Sequence, residues 1–379
     1  MNQSDEEKEQ LLKKLDEFHA GNHSSERDDF DHKVFRSLFK QFLTEDAHID
    51  WNSWKFISED VQKNLKDLPS YTDEYKSLLD RLVVIKLNGG LGTTMGCSGP
   101  KSLIEVKDGK TFLDIAINQQ ELFNKKYECH VPLYLMNSFY TEEATKEKLP
   151  AWVRTFVQSK CPRIDAESLL PLEEEFGENK WYPPGHGNIF ASLSFSGILD
   201  ELIAEGRDIM FVSNIDNTGA CLNLSIARWF ADVKADYLME CTKKTELDIK
   251  GGTLIDINGQ LMHLEIPQVP PEHLDEFCST KTFKIFNTNN IWVNLRSVKQ
   301  QLESIKSEII VNKKNVQGRN VIQLETSIGG CIRNFPKAYC VHVERNRFIP
   351  VKKTEDLLAI RTSLYGFESD GTPKLERDQ

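Results

Sequence analysis

The stretch that decides the reading is LVVIKLNGGLGTTMGCSGPKS, Leu82 to Ser102. LVVIKL has the β-branched, apolar character of a short buried strand. It runs into Gly89, Gly90, Gly92, Gly96 and Gly99, and a cation follows at Lys101. Main chain can approach a phosphate closely only where side chains are missing, and successive N–H groups in unusual dihedrals form an anion-binding nest. A strand, a glycine loop and then a helix would set that nest at a positive helix end. Three known phosphate loops do not match. Pro100 separates Gly99 from Lys101, which breaks the Walker A pattern, and Gly90, Gly92 and Gly96 are spaced GxGxxxG rather than GxGxxG. Neither HRD nor DFG occurs, so the kinase arrangement is missing too. Glycine richness by itself is also the mark of a plain mobile loop.

Working outward, strands and helices alternate. FLDIAINQQELF reads as a helix, VPLYLMNS as a strand, TEEATKEKL as a helix and VRTFV as a strand. NIFASLSFSGILDELIA, DIMFVSNI, LNLSIARWFADVKA and DYLMECT continue as helix, strand, helix, strand. The grammar predicts an α/β fold with a parallel or mixed sheet covered on both faces. In KGGTLIDINGQLMHLEI the pair Asn258-Gly259 between alternating apolar residues predicts a β-hairpin, inserted beside the sheet as a lid. Residues from about 4 to 80 read as helical and polar, with Phe30, Val34, Phe35, Leu38, Phe39 and Phe42 forming one apolar stripe. The predicted organisation is an N-terminal helical region over 1–80 packed on a catalytic domain over 81–365. A polar, frayed tail is expected over 366–379.

With 379 residues the chain is large enough for one big domain or two, and 39% hydrophobic with 28% charged residues suits a globular core. A formal charge of −11 argues against nucleic acid as partner, yet a local basic pocket can still attract a small anion. No apolar run approaches the roughly 20 residues of a membrane span, and the acidic N-terminus lacks a signal-type apolar core. Eight scattered cysteines without a CxxC pair suggest reduced core thiols and a cytoplasmic protein.

The loop LNGGLGTTMG…GPKS closely resembles the signature of the UTP–glucose-1-phosphate uridylyltransferases, the UDP-glucose pyrophosphorylases of eukaryotic type. The resemblance continues through WYPPGHGNI, FVSNIDNTGA, KGGTL, KIFNTNNIWV, VIQLETSIG and RFIPVKKT, and covers nearly everything from about Asp28 to Leu364. It implies a Rossmann-like, GT-A-like nucleotidyltransferase fold. It also implies a reversible, Mg²⁺-dependent reaction of UTP with glucose-1-phosphate that yields UDP-glucose and pyrophosphate. Such a reaction asks for positioning and charge neutralisation rather than a covalent nucleophile.

By the same resemblance Leu87, Asn88, Gly89, Gly90 and Gly92 hold the nucleotide, Lys101 sits on the triphosphate, and Gln158 and Gly185 contribute to the nucleotide side. Gly89 and Gly90 also reach the sugar nucleotide. His186, Asn214, Ile215 and Asp216 would face the sugar phosphate, with Asp216 the Mg²⁺ ligand. Magnesium is commonly held by one or two carboxylates plus substrate phosphates, so a single aspartate suffices. A helix cap is the alternative reading of Asp216, and a satisfied turn histidine that of His186. Asn289 and Glu325, the latter expected on a helix, would hold sugar hydroxyls. Lys352 matches the catalytic lysine, its neighbour Lys353 falling outside the FIPVK register.

The resemblance breaks in two places. Thr94 and Ser98 stand where relatives commonly carry Ser and Lys, and the second change removes a charge near the phosphates. Past RTSLY the family usually continues into a β-helix domain that carries oligomer contacts, so a monomer is expected here. A UDP-N-acetylhexosamine pyrophosphorylase remains an alternative, although its loop typically reads LAGGQGTR. So does a non-catalytic nucleotide-sugar binder.

Overall fold

A computed structural model describes residues 4–22 and 24–376. Its centre is an eight-stranded sheet. In chain order the strands are β1 (Gln62–Asn64), β2 (Leu82–Asn88), β3 (Leu133–Asn137), β4 (Arg154–Val157), β5 (Ile209–Asn214), β6 (Tyr237–Lys243), β7 (Ile285–Asn294) and β8 (Ala338–His342). Their spatial order is β1-β8-β6-β7-β5-β2-β3-β4. All neighbours run parallel except β7, which is antiparallel to both β5 and β6. The sheet is therefore mixed, as the alternating grammar predicted.

Every residue of β2 is buried, which is why its sequence is a near-continuous apolar run instead of an alternation. Val83, Ile85 and Leu87 pack with Met210 and Val212 against the helices Ile189–Phe195, Ile198–Ala204 and Leu295–Gln301. Leu82 and Val84 pack with Ile209 and Phe211 on the opposite face. There they meet helix Leu224–Asp232 and α3 (Phe112–Tyr127), the third helix after α1 (Asp5–Asn22) and α2 (Glu26–Thr44). Each such fully buried aliphatic side chain contributes about 1.5–3 kcal/mol, so the two layers fix the strand ends on which the site is built.

Several expectations need correction. The helical reading of 4–80 holds only to Thr44; from Glu45 to Arg81 the described chain has two short strands and 3₁₀ turns, and β1 joins the main sheet. The span 189–204 is two helices, broken at Gly197 with φ +77°. The glycine loop does not open on a helix. Two 3₁₀ turns, Thr93–Met95 and Lys101–Leu103, intervene, and α3 begins only at Phe112 behind a Thr111–Asp114 capping box. The loop is instead closed by its own backbone, with Gly92 N–H donating to Gly99 O (3.0 Å) and Lys101 N–H to Gly90 O (3.1 Å). The tail expected to fray forms a hairpin, Leu364–Phe367 with Pro373–Leu375, tied to α3 by Lys126 Nζ–Asp370 Oδ2 at 3.0 Å. Residues 377–379 of that prediction lie outside the described residues.

Two other predictions match. Phe35 and Phe39 of α2 are buried, with Leu38 and Phe42 packed beside them, against Tyr182 and Leu324. The hairpin Thr253–Ile257/Gln260–Leu264 turns at Asn258 (φ +56°) and Gly259 (φ +84°), the left-handed pair a tight two-residue turn requires. A further hairpin, Ile309–Val316/Arg319–Thr326, stands beside the main sheet.

Candidate active site

A cleft of about 990 Å³ opens where the C-terminal ends of β2 and β5 meet the middle of β7. Ligand sites in open α/β sheets lie at these carboxyl ends. Leu87, Asn88, Gly89, Gly90, Lys101, Gln158, Gly185, His186, Asn214, Ile215, Asp216, Asn289, Glu325 and Lys352 all line it. Gly92 does not; it is buried within the loop, beneath Ile104 and Cys97. The cleft walls carry five cations (Lys101, Arg163, Lys250, Lys314 and Lys352) against four carboxylates (Asp216, Asp248, Glu265 and Glu325). In a chain with a charge of −11, that balance makes the cleft a local site for anions.

The floor is built from β2 and its neighbours. Asn88 turns its amide inward, donating to Asn137 Oδ1 (2.8 Å) and Thr145 Oγ1 (3.1 Å), and its carbonyl accepts from Thr141 Oγ1 (2.7 Å), so it fixes the strand end. Gln158, at the end of β4, lays its amide on Gly89. A Cβ added at Gly89 would stand 2.2 Å from Gln158 Nε2, so any side chain there would displace the glutamine. Gln158 Oε1 is buried without a partner among the described residues, an acceptor available for a ligand N–H. Behind it, Arg27 of α2 donates to Gln158 O (2.5 Å) and Val157 O (3.3 Å). Helix α2 thereby holds this part of the cleft wall.

Asp216 follows β5 in a turn. It caps no helix, because Asn223 supplies that cap through Ser225 and Ile226 N–H. Its carboxylate forms an ion pair with Lys101. Beneath the turn, the fully enclosed Lys86 donates to Ser213 Oγ and Ala220 O, both at 2.7 Å. Burial pushes the Lys86 ammonium down to about 8.

Asn289 owes its position to a bulge. Glu240 pairs with Asn290 and Cys241 with Asn287, so Thr288 and Asn289 are extra residues of β7 without strand partners. Asn289 takes φ +60°, which asparagine tolerates, and donates through Nδ2 to Asn214 Oδ1 at 2.9 Å. His186 accepts from Ile328 N–H at Nδ1 (2.9 Å), which leaves the proton on Nε2. Burial pushes its pKa down to about 4, so the ring is a neutral donor at physiological pH. Glu325 lies on a strand of the hairpin and not on a helix, and burial raises its carboxyl above the usual range. Lys352 is exposed at the rim, while Lys353 does not line the cleft.

Lys250, Glu265, His263 and Arg163 also line this cleft but escaped the sequence reading. Lys250 stood in the quoted KGGTL block and carries the only charge there; the others have no local signal.

The family model described as UTP–glucose-1-phosphate uridylyltransferase matches residues 32–378. The chain belongs to that family. It is 48% identical over 345 residues to the UTP–glucose-1-phosphate uridylyltransferase of Hordeum vulgare, covering 87% of this chain and 73% of that protein. To the enzyme of Saccharomyces cerevisiae it is 46% identical over 359 residues, covering 90% and 72%. Among solved structures, a UDP-glucose pyrophosphorylase mutant from Leishmania major in complex with UDP-glucose superposes with a TM-score of 0.85 at 32% identity. That likeness covers 97% of this chain and 82% of that one. The uridylyltransferase family accounts for the mixed sheet and makes the chain a nucleotidyltransferase. No helix among the described residues is long and apolar enough to cross a membrane.

Proposed function

We propose that the cleft joins UTP to glucose-1-phosphate, giving UDP-glucose and pyrophosphate. The observation that carries this reading is convergence: Lys101 and Asp216, 115 residues apart, meet in an ion pair beside the glycine loop, in a cleft that Lys352 also lines. An oxygen of the sugar phosphate attacks the α-phosphorus of UTP. The new P–O bond forms as the α–β anhydride bond breaks, and the electron pair leaves on pyrophosphate. Gly89 and Gly90 would lie against the nucleotide, and the orphan carbonyl of Gln158 would accept an N–H of uracil. Lys101 would exchange Asp216 for the triphosphate, and Lys352 would face the charge that develops on the phosphates. His186 would donate from Nε2, while Asn214, Asn289 and Glu325 would read the sugar. No side chain forms a covalent bond to substrate, so the rate would come from fixed charge and orientation.

The donor set fits Mg²⁺. Among the described residues no cluster of three His, Cys, Asp or Glu could hold a metal alone, and Asp216, beside Lys101 at the glycine loop, would serve as the carboxylate ligand with substrate phosphates as the others. When bound there, the ion would neutralise phosphate charge. The test is pyrophosphate release from UTP, glucose-1-phosphate and Mg²⁺, with other sugar-1-phosphates as controls. Binding of UDP-glucose without any release would overturn the reading in favour of a non-catalytic binder.

A further inference from the structure

The residue after Asp216 makes contacts the reaction does not call for. Asn217 is 2% exposed. Its Oδ1 accepts from Gly219 N–H (3.2 Å) in its own turn and from Ile349 N–H (2.9 Å) in the segment leading to Lys352. Its Nδ2 donates to Arg347 O and to Asn290 Oδ1, both at 3.1 Å. Gly219 packs on the same segment so tightly that an added Cβ would stand 2.3 Å from Asn346 O. The segment is in turn anchored by Arg347, whose guanidinium grips the fully buried Glu240 of β6 through Nε and Nη2, each at 2.7 Å. Trp292 Nε1 (2.9 Å) and Asn290 Nδ2 (3.2 Å) donate to the same carboxylate, so all its partners are supplied from inside the fold.

We propose that Asn217, backed by the buried Arg347–Glu240 pair, is a positioning device. It fuses the Asp216 turn to the Lys352 segment, so that the two charges keep one spacing while substrates come and go. The two parts come from opposite sides of the 130 residues separating Asn217 from Arg347, and side-chain bonds join them. A buried bidentate pair is costly to desolvate and stabilises little, but it is well suited to fixing one arrangement. Which substrates the two charges serve rests on the function proposed above; the fusion itself does not.

Two variants test it. Asn217→Ala removes the link, and Glu240→Gln/Arg347→Met removes both buried charges together, leaving neither unpaired. In each we expect kcat to fall by about 10²-fold, the usual cost of roughly ångström misplacement of a catalytic group, with KM for glucose-1-phosphate little changed. Hydrogen exchange provides the second readout. In the unmutated protein the Gly219 and Ile349 amides should share one protection factor, and in Asn217→Ala both should lose it while Phe211 and Ile291 keep theirs. Unequal protection in the unmutated protein would overturn the proposal even if neither variant folds. So would a folded Asn217→Ala that keeps its kcat. Should the unmutated protein release no pyrophosphate, the function reading alone falls, and the exchange comparison still decides whether the two parts move together.

Discussion

The glycine loop and the Asp216 turn leave neighbouring strands, meet at the Lys101–Asp216 ion pair, and are held in different ways. The loop from Gly89 to Lys101 is closed by its own main chain, through bonds such as Lys101 N–H to Gly90 O, Gly92 N–H to Gly99 O and Cys97 N–H to Gly92 O. The turn from Asn214 to Ala220 is held from outside, by Lys86 below, by Asn290 of β7 and by Arg347 of the 3₁₀ turn Arg345–Arg347. A site that must admit two anions can combine a compliant, side-chain-free wall with a braced one, and the braced wall carries the carboxylate.

The largest effect should come from the charges themselves. Lys352→Met and Asp216→Asn should each lower turnover by about 10²–10³-fold in a pyrophosphate-release assay, the usual loss for one preorganised charge. Unchanged turnover in either variant would remove that residue from the mechanism.

Next comes the brace. Lys86 titrates at about 8 when folded and at 10.5 when free. Between those values the unfolded chain binds the extra proton, so stability rises with pH through that window, and the full penalty is present below it. The stability difference between the unmutated protein and Lys86→Met should therefore shift by about 3 kcal/mol in favour of the unmutated protein from pH 8 to 10.5. Denaturant titration at the two ends reads it. A flat difference would mean that Lys86 is not desolvated.

The loop should be gentler. Gly89→Ala must push the Gln158 amide aside, and we expect KM for UTP to rise about tenfold, a loss typical of one displaced hydrogen-bonding partner, with kcat less affected. A kcat loss as large as that of Lys352→Met would show the loop to be as rigid as the turn. Lys13→Ala, in an exposed pair on α1 outside the cleft lining, sets the zero and should leave activity and melting unchanged.

Legibility followed the same division. The strands were readable because burial on both faces writes itself as apolar runs, and the loop was readable because five glycines crowd into eleven positions from Gly89 to Gly99. The hairpin at Asn258-Gly259 announced its own turn. Local sequence could not reveal that residues 45–81 would abandon the helix, because β1 is ordered by β8, more than two hundred residues later. Nor could it place Glu325 on a strand, since that segment pairs with Ile309–Val316. Lys86 was visible as a lysine inside an apolar strand, but its partners Ser213 and Ala220 were not. Arg347 and Glu240 gave no signal, being 107 residues apart.

The bulge in β7 carries a practical consequence. Because Thr288 and Asn289 sit outside the pairing of β6 with β7, the side chain at 289 can be exchanged without sliding either strand past the other. The left-handed backbone there, φ +60°, admits Asp or Gly with little strain and resists β-branched or bulky side chains, so the choice at 289 is confined to a few small residues.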